Sequence, residues 1–414
     1  MRRICALALV MVMLCFMSAC RQHRPNAGFD AADQEKGATL TVLIPSLSPD
    51  DPGTWQYEVF ENFRSQYPDV KLEFMQTTWT TWEERLKIAY SFGDHVDVIY
   101  NGVNSNPLLP KLGITQPLQD YVDMDNPNLH KVTMDVCFQY EGNRYVAAAE
   151  TNFGVIYYNK DMMAACNLTD PMELYKRGEW TWDNFAVYAN ALTDRDSGVY
   201  GFATDYPYLF YGSNLTSTLE IRDGRYTLNT DDDAFRKALK FIQDGWCGSR
   251  WQGYDGANAT IAFQTTKAAM LGSFTQYESE INMLAEISDW PPINYGVIPL
   301  PAGPNNPEGL NMVHSYGYSI GAGSDCPNHA GKLIDMLIDG QAEYQARREQ
   351  ELPSDSVQLY REMANRMFCV NTRDSAVGGG YEIYNDVCIG YSPTQAIEMH
   401  KDKYQAIINE IENQ

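Results

Sequence analysis

Between Leu40 and Tyr100 the chain alternates strand-like and helix-like apolar spacing, and this order constrains the fold more than any other feature. Leu40, Val42 and Ile44 alternate with Thr41 and Leu43 and stop at Pro45, which predicts a first buried strand. Tyr57, Phe60, Phe63 and Tyr67 then recur at helical spacing up to Pro68, where a helix must stop because proline has no N–H and clashes with the preceding turn. Val70, Leu72 and Phe74 alternate with Lys71 and Glu73 as a second strand. Thr81 and Glu84 have capping-box spacing ahead of Leu86 and Ala89, and Val96, Val98 and Tyr100 supply a third strand. Strand, helix, strand, helix, strand is the order of a parallel sheet with helices on its faces, so the class is α/β. Ligands of such sheets sit beyond the carboxyl ends of the strands. Trp79, Trp82, Asn101 and Asn104 fall there and are candidate contacts.

At 414 residues the chain exceeds what one hydrophobic core usually serves, which predicts two lobes. The segment Arg144 to Asp161, RYVAAAETNFGVIYYNKD, divides them. Val155 to Tyr158 are β-branched and aromatic, as in a buried strand, whereas Ala147 to Asn152 is small and polar. That small part reads as a crossover, which puts Glu150, Thr151 and Asn152 where the lobes face each other. Farther on, Thr181 is expected to cap a helix, and Tyr206 and Tyr208 belong to an aromatic cluster. Asp231 to Asp233 opens another helix, where three carboxylates suit the dipole. Phe274 and Tyr277 are expected in a turn after Gly272. Tyr316, Tyr318 and Ile320 alternate as a strand that crosses back. Gly378 to Gly380 breaks the chain ahead of Tyr381, and Ser392 with Gln395 caps a last helix.

The first residues speak to compartment. Arg2 and Arg3 precede an apolar run from Ile4 to Met17, then Ser18, Ala19 and Cys20, the pattern of an export signal over residues 1–19. A cysteine directly after small residues resembles a bacterial lipobox, which implies a lipid anchor on Cys20 and a polar tether over 20–37. Six cysteines then remain in the mature chain: Cys137, Cys166, Cys247, Cys326, Cys369 and Cys388. Cys369 and Cys388 are the nearest pair in sequence; buried lone thiols are the other reading. With no C-x-x-C pair, a zinc site has no support and no metal or other cofactor is expected. The net charge of −23, from 54 acidic against 31 basic residues, repels phosphate backbones and excludes nucleic acid as a partner.

The ordered set FENFRSQYPDVKLEF (60–74), LKIAYSFGDHVDVIY (86–100), YEGNRYVAAAETNFGVIYYNKDM (140–162), GEWTWDNF (178–185), AFQTTKAAMLGS (262–273) and NYGVIPLPAGP (294–304) resembles the extracellular solute-binding proteins of family 1. These are the sugar-binding lipoproteins of ATP-driven (ABC) importers. The resemblance implies a two-lobed periplasmic-binding-protein-like fold of type II, with 38–147 and 316–370 in the N-terminal lobe and 148–315 and 371–414 in the C-terminal lobe. It also implies crossover segments at Arg144 to Asn152, near Ser315 to Tyr318 and between Thr372 and Tyr391. The implied partners are a carbohydrate, the permease subunits of a transporter and the membrane through Cys20, and the implied state is an extracytoplasmic monomer.

A sugar offers hydroxyls in a ring plane and an apolar face, so its site needs aromatics that stack and amides or carboxylates that bond in pairs. Trp79, Tyr206, Phe274 and Tyr381 are expected to stack; Asn101, Asn104, Glu150 and Asn152 to bond; Trp82, Tyr208, Tyr277 and Ser315 complete the set. Other classes leave traces too. Gly317-Tyr318-Ser319-Ile320-Gly321 fits the G-x-S-x-G pattern of an esterase, though alternation through Ile320 fits a strand better. A carbohydrate-active hydrolase using Glu150 needs a second carboxylate about 5 to 10 Å away. A polyamine or peptide would also suit an acidic binding protein.

Overall fold

The parallel order expected of the first hundred residues is realised in a five-stranded sheet. In the computed structural model, which describes residues 35, 37–252, 258–368, 376–378 and 380–413, the strand Thr39–Leu43 pairs in parallel with both Lys71–Phe74 and Val98–Gly102. Helices Trp55–Gln66 and Trp82–Ser91 connect them. Neither Thr81 nor Thr181 makes the expected side-chain cap; only their positions at the helix starts match. Ser392 and Gln395, by contrast, form a complete capping box on Pro393–Glu412.

The returning strand Tyr316–Gly321 joins this sheet antiparallel to Val98–Gly102, with Tyr318 opposite Tyr100. A second sheet centres on Gly154–Asn159, every residue of which is buried. It is flanked antiparallel by Met270–Phe274 and Tyr295–Pro299, with Ala203–Thr204 parallel at the edge. The apolar run Val155 to Tyr158 is explained by this central place, since both faces of the strand are covered. Phe274 is the last residue of a strand rather than part of a turn, which begins at Thr275.

Two crossings between the lobes run side by side. Ala147 and Tyr318 exchange backbone hydrogen bonds of 2.8 and 2.9 Å, and His314 donates its N–H to the Asn152 carbonyl at 2.7 Å. Gly317 is what permits this approach, because a Cβ there would lie 2.1 Å from the Ala147 carbonyl oxygen. A third run, Met367–Phe368, pairs in parallel with Asn311–Met312. Of the third crossing expected between Thr372 and Tyr391, residues 372–375 and 379 lie outside the described residues, as do Cys369, the export signal and Cys20, and the helix Tyr381–Cys388 occupies much of the rest.

The long helix Pro327–Glu349 packs on Trp55–Gln66 in the first lobe, whereas the next helix, Ser354–Met363, packs on the strand Tyr295–Pro299 of the second. Ser356 and Tyr360 donate hydroxyl hydrogen bonds to the buried carboxylate of Glu278, which fixes that helix to the second lobe. The apolar stripe ending at Met363 thus packs against the second lobe's strand, ahead of the division expected at 370.

Candidate ligand-binding cleft

A cleft of about 760 Å³ lies between the lobes, at the carboxyl ends of the first sheet's strands. Its first-lobe wall is aromatic. Tyr100 and Tyr316 stack at 5.7 Å and 15°, and Trp79 stands edge-on to Tyr316 at 5.3 Å. Gly102 makes room for this arrangement: a Cβ would meet the Tyr316 ring at 2.6 Å and the Asn104 side-chain oxygen at 2.8 Å. The opposite wall carries Tyr206 and Tyr277, stacked at 6.4 Å and 13°, with Tyr208 and Tyr381 beside them. Burial raises the hydroxyls of Tyr100, Tyr206, Tyr208, Tyr316 and Tyr318, so they remain neutral donors throughout the physiological range.

The floor is polar. Glu150, on the first crossing, accepts a hydrogen bond from the Gln345 amide. Burial raises its carboxyl above the ordinary value, while Asn152, Arg348, Gln341 and Gln345 pull it back. Arg348, one turn beyond Gln345 on the first-lobe helix, donates to the Gln276 carbonyl at 2.7 Å and to the Ser279 hydroxyl, both in the second lobe. Its guanidinium also sits over the Tyr344 ring at 5.5 Å. Among the described residues Gln341 Oε1, His314 Nδ1 and Arg348 Nε are buried without a hydrogen-bond partner, which makes them natural contacts for hydroxyls. His314 lies flat on Phe274 at 3.9 Å and 18°, and burial lowers its imidazole to about 4.

Of the twelve sequence-derived candidates, the structure brings Trp79, Trp82, Asn104, Glu150, Tyr206, Tyr208, Tyr277 and Tyr381 to the cleft lining. Trp82 belongs mainly to a core with Leu43, Leu86 and Ile99, and is 4% exposed, whereas Trp79 is 47% exposed. The other four lie behind the lining. Asn101 is buried and donates to the Ser319 hydroxyl; Asn152 accepts from Thr275; the Ser315 hydroxyl donates to the Glu150 carbonyl; Phe274 supports Tyr206 and His314 from beneath. The first and third of these miss by one residue, since neighbouring strand residues face opposite sides and the lining faces belong to Tyr100 and Tyr316. Thr151 turns away to His130 at 2.9 Å.

Sequence reasoning missed Tyr100, His314, Tyr316 and Tyr318, and the helical row Gln341, Tyr344, Gln345 and Arg348. Both sets carry a periodic signal, period two in the strand and the i, i+3, i+4, i+7 face of a helix. The serine of Gly317 to Gly321 sits inside a regular strand, and its hydroxyl is engaged by Asn101 and the Tyr145 carbonyl, so the strained turn of an esterase elbow is not formed. A larger hollow of about 1200 Å³ opens beyond Arg348, sharing Trp55, Gln276, Glu280, Tyr344 and Arg348 with the cleft. We place the site in the smaller space because the crossings and both aromatic walls meet there.

Residues 46–343 match the bacterial extracellular solute-binding protein family. The chain belongs to that family. Solved structures of sugar-binding proteins share its fold. An ABC substrate-binding protein from Listeria monocytogenes, in complex with cycloalternan, is 17% identical with a TM-score of 0.70, covering 90% of this chain and 99% of that one. The GacH receptor of Streptomyces glaucescens, described unliganded and with acarbose, is 18% identical with a TM-score of 0.67, over 90% and 99% of the two chains. A cyclo/maltodextrin-binding protein complexed with maltotetraose gives 17%, 0.63, and 94% and 98% coverage. A binding protein of Brucella abortus is 23% identical over 337 residues, 78% of this chain and 77% of its own length. Solute-binding proteins of this family are extracellular, and among the described residues no helix is long and apolar enough to cross a membrane.

Proposed function

We propose that this solute-binding protein captures a neutral carbohydrate between its two lobes and delivers it, unaltered, to the permease of an ABC importer. The observation that carries the reading is the pair of facing aromatic walls, Trp79, Tyr100 and Tyr316 against Tyr206 and Tyr277, over a floor of Glu150, Gln341 and Gln345. Aromatic faces take the C–H faces of sugar rings, and side-chain amides and carboxylates take hydroxyls in pairs. The volume falls within the roughly 300 to 1,000 Å³ of small-molecule sites. Among the described residues Arg348 is the one cationic residue of the lining, and one nitrogen of its guanidinium is already engaged with Gln276 and Ser279, which favours a neutral ligand over an anionic one. Continuity with the hollow beyond Arg348 supports an oligosaccharide of several units.

Closure of the lobes supplies the transport signal, because a ligand that contacts both walls stabilises the closed form over the open one. The protein works as a monomer outside the cytoplasm, anchored through lipid on Cys20, with the polar segment 20–37 as its leash. Calorimetric titration with maltotetraose, acarbose, mannobiose and mannitol, set against spermidine and a tetrapeptide, tests the reading. A saturable heat with at least one sugar, and recovery of that sugar intact by chromatography, is expected. Heat only with spermidine or peptide, or cleavage of the sugar, would overturn it.

A further inference from the structure

Two cysteines far apart in sequence are brought together in the second lobe. Cys247 lies in the π-helical turn Asp244–Ser249 that follows the helix Asp233–Gln243, and Cys388 is the last residue of the helix Tyr381–Cys388. The Cys247 thiol rests 3.3 Å from the Cys388 carbonyl oxygen and 3.5 Å from that of Val387. A thiol on a cysteine's own carbonyl is only a few bonds from that residue's sulfur, so a side-chain rotation brings the two within the range over which disulfides form. The backbones are already fixed beside each other, since the two helices pack together and Gln243 donates to the Tyr391 carbonyl at 3.0 Å. Cys247 is exposed and Cys388 partly so, which gives an oxidant access. Cys166 and Cys326 rest instead on Ala191 and Thr39, in other parts of the fold.

We propose that Cys247 and Cys388 are a redox pair that closes to a disulfide in an oxidising compartment and stiffens the helix that presents Tyr381 to the cleft. That helix begins after Gly378 and Gly380, both in left-handed backbone with φ of 76° and 60°, a conformation that favours glycine. A bond at Cys388 pins its other end to the turn after Gln243.

The chemistry is thiol–disulfide exchange with a disulfide of the type R–S–S–R. Cys247, as thiolate, attacks one sulfur of the oxidant, forming a mixed disulfide and expelling one thiolate. Cys388 then gives up its proton and attacks the Cys247 sulfur, forming the intramolecular bond and expelling the second thiolate. Two protein thiols are oxidised, one disulfide is reduced, and the two protons end on the two released thiols. Burial and the neighbouring Cys247 push the Cys388 thiol up to about 12, so Cys247 reacts first and the second step is the slower.

Purified protein incubated with oxidised glutathione and then digested without reduction should give one peptide pair joined through Cys247 and Cys388, with loss of two hydrogens. Its melting midpoint should rise by about 5 °C and fall back with dithiothreitol, because a long loop is closed in the unfolded chain. The Cys247→Ser variant, altered at an exposed position, should fold normally and show neither the cross-link nor the rise; Cys388→Ser should match it. Free thiols persisting at both positions, or a cross-link from either one to Cys369, would overturn the pairing. None of these measurements depends on the ligand.

Discussion

Gln345 donates its amide to the carboxylate of Glu150, so the long helix of the first lobe holds the residue that stands on the crossing between the lobes. Three residues on, Arg348 reaches across to Gln276 and Ser279. One helical face thus supports the floor of the cleft and spans its gap.

Glu150 should couple stability to pH. Its folded carboxyl is raised by burial above the ordinary value of 4.5, so the folded protein binds more protons than the unfolded chain in the range above 4.5. Stability is therefore fully present below that value and falls as pH rises through the raised one. Glu150→Gln should remove this fall, so that the unliganded variant melts at or above wild type at pH 8 and with it near pH 4. Sugar affinity should drop about tenfold, the worth of a charge-assisted hydrogen bond. Asn152→Ala should instead lower the melting midpoint, because Asn152 is buried and bonded to Thr275.

Trp79 and Trp82 should separate binding from folding. Trp79 is 47% exposed on the cleft wall, and Trp79→Ala should weaken sugar binding by roughly 1 kcal/mol with little change in melting. Trp82→Ala, at 4% exposure in a core with Leu43, Leu86 and Ile99, should cost about 3 to 5 kcal/mol of stability by denaturant titration. The opposite pattern would place the stacking platform wrongly.

Arg348 bolts the lobes together. Arg348→Ala should remove its bonds to Gln276 and Ser279, increase the radius of gyration of the unliganded protein in solution scattering, and weaken sugar binding by roughly 1 to 3 kcal/mol. Arg348→Lys should fail to rescue, because one ammonium cannot hold the planar fork that also lies over Tyr344. An unchanged radius in Arg348→Ala would show that the crossings alone set the lobe angle.

His314 should govern the acid limb of stability. Buried against Phe274, its imidazole is lowered from 6.5 to about 4, so the folded protein binds fewer protons than the unfolded chain in that window. Stability is fully present above 6.5 and declines by about 3 kcal/mol as pH falls towards 4. His314→Gln should flatten that decline in melting curves recorded from pH 7 to pH 4. Wild type and variant losing stability in parallel would remove His314 as the cause.

The legible parts of the fold are those whose signal is local. Leu40, Val42, Val70, Leu72, Val96 and Val98 lie in or beside the first three strands, and the helix of Tyr57, Phe60 and Phe63 falls between them, because burial of one face imposes a period on the residues that make it. The site was legible to within a residue in several places. Asn101 and Ser315 have the polar chemistry expected of contacts at strand ends, but Tyr100 and Tyr316 hold the cleft side of those strands. The parity of a strand's faces is set by its partners, and only pairing across the sheet reveals it.

By itself, the sequence determined that the chain is an α/β protein of two lobes, with a buried strand at Val155 to Tyr158 and a small, polar crossing at Glu150, since composition and period are properties of contiguous residues. Only the tertiary structure decided that Ser354–Met363 serves the second lobe, that Gln345 and Arg348 join Glu150 at the floor, and that Cys247 lies beside Cys388. Each of those facts joins residues far apart along the chain, and their meeting depends on how the whole molecule packs, which no local pattern encodes.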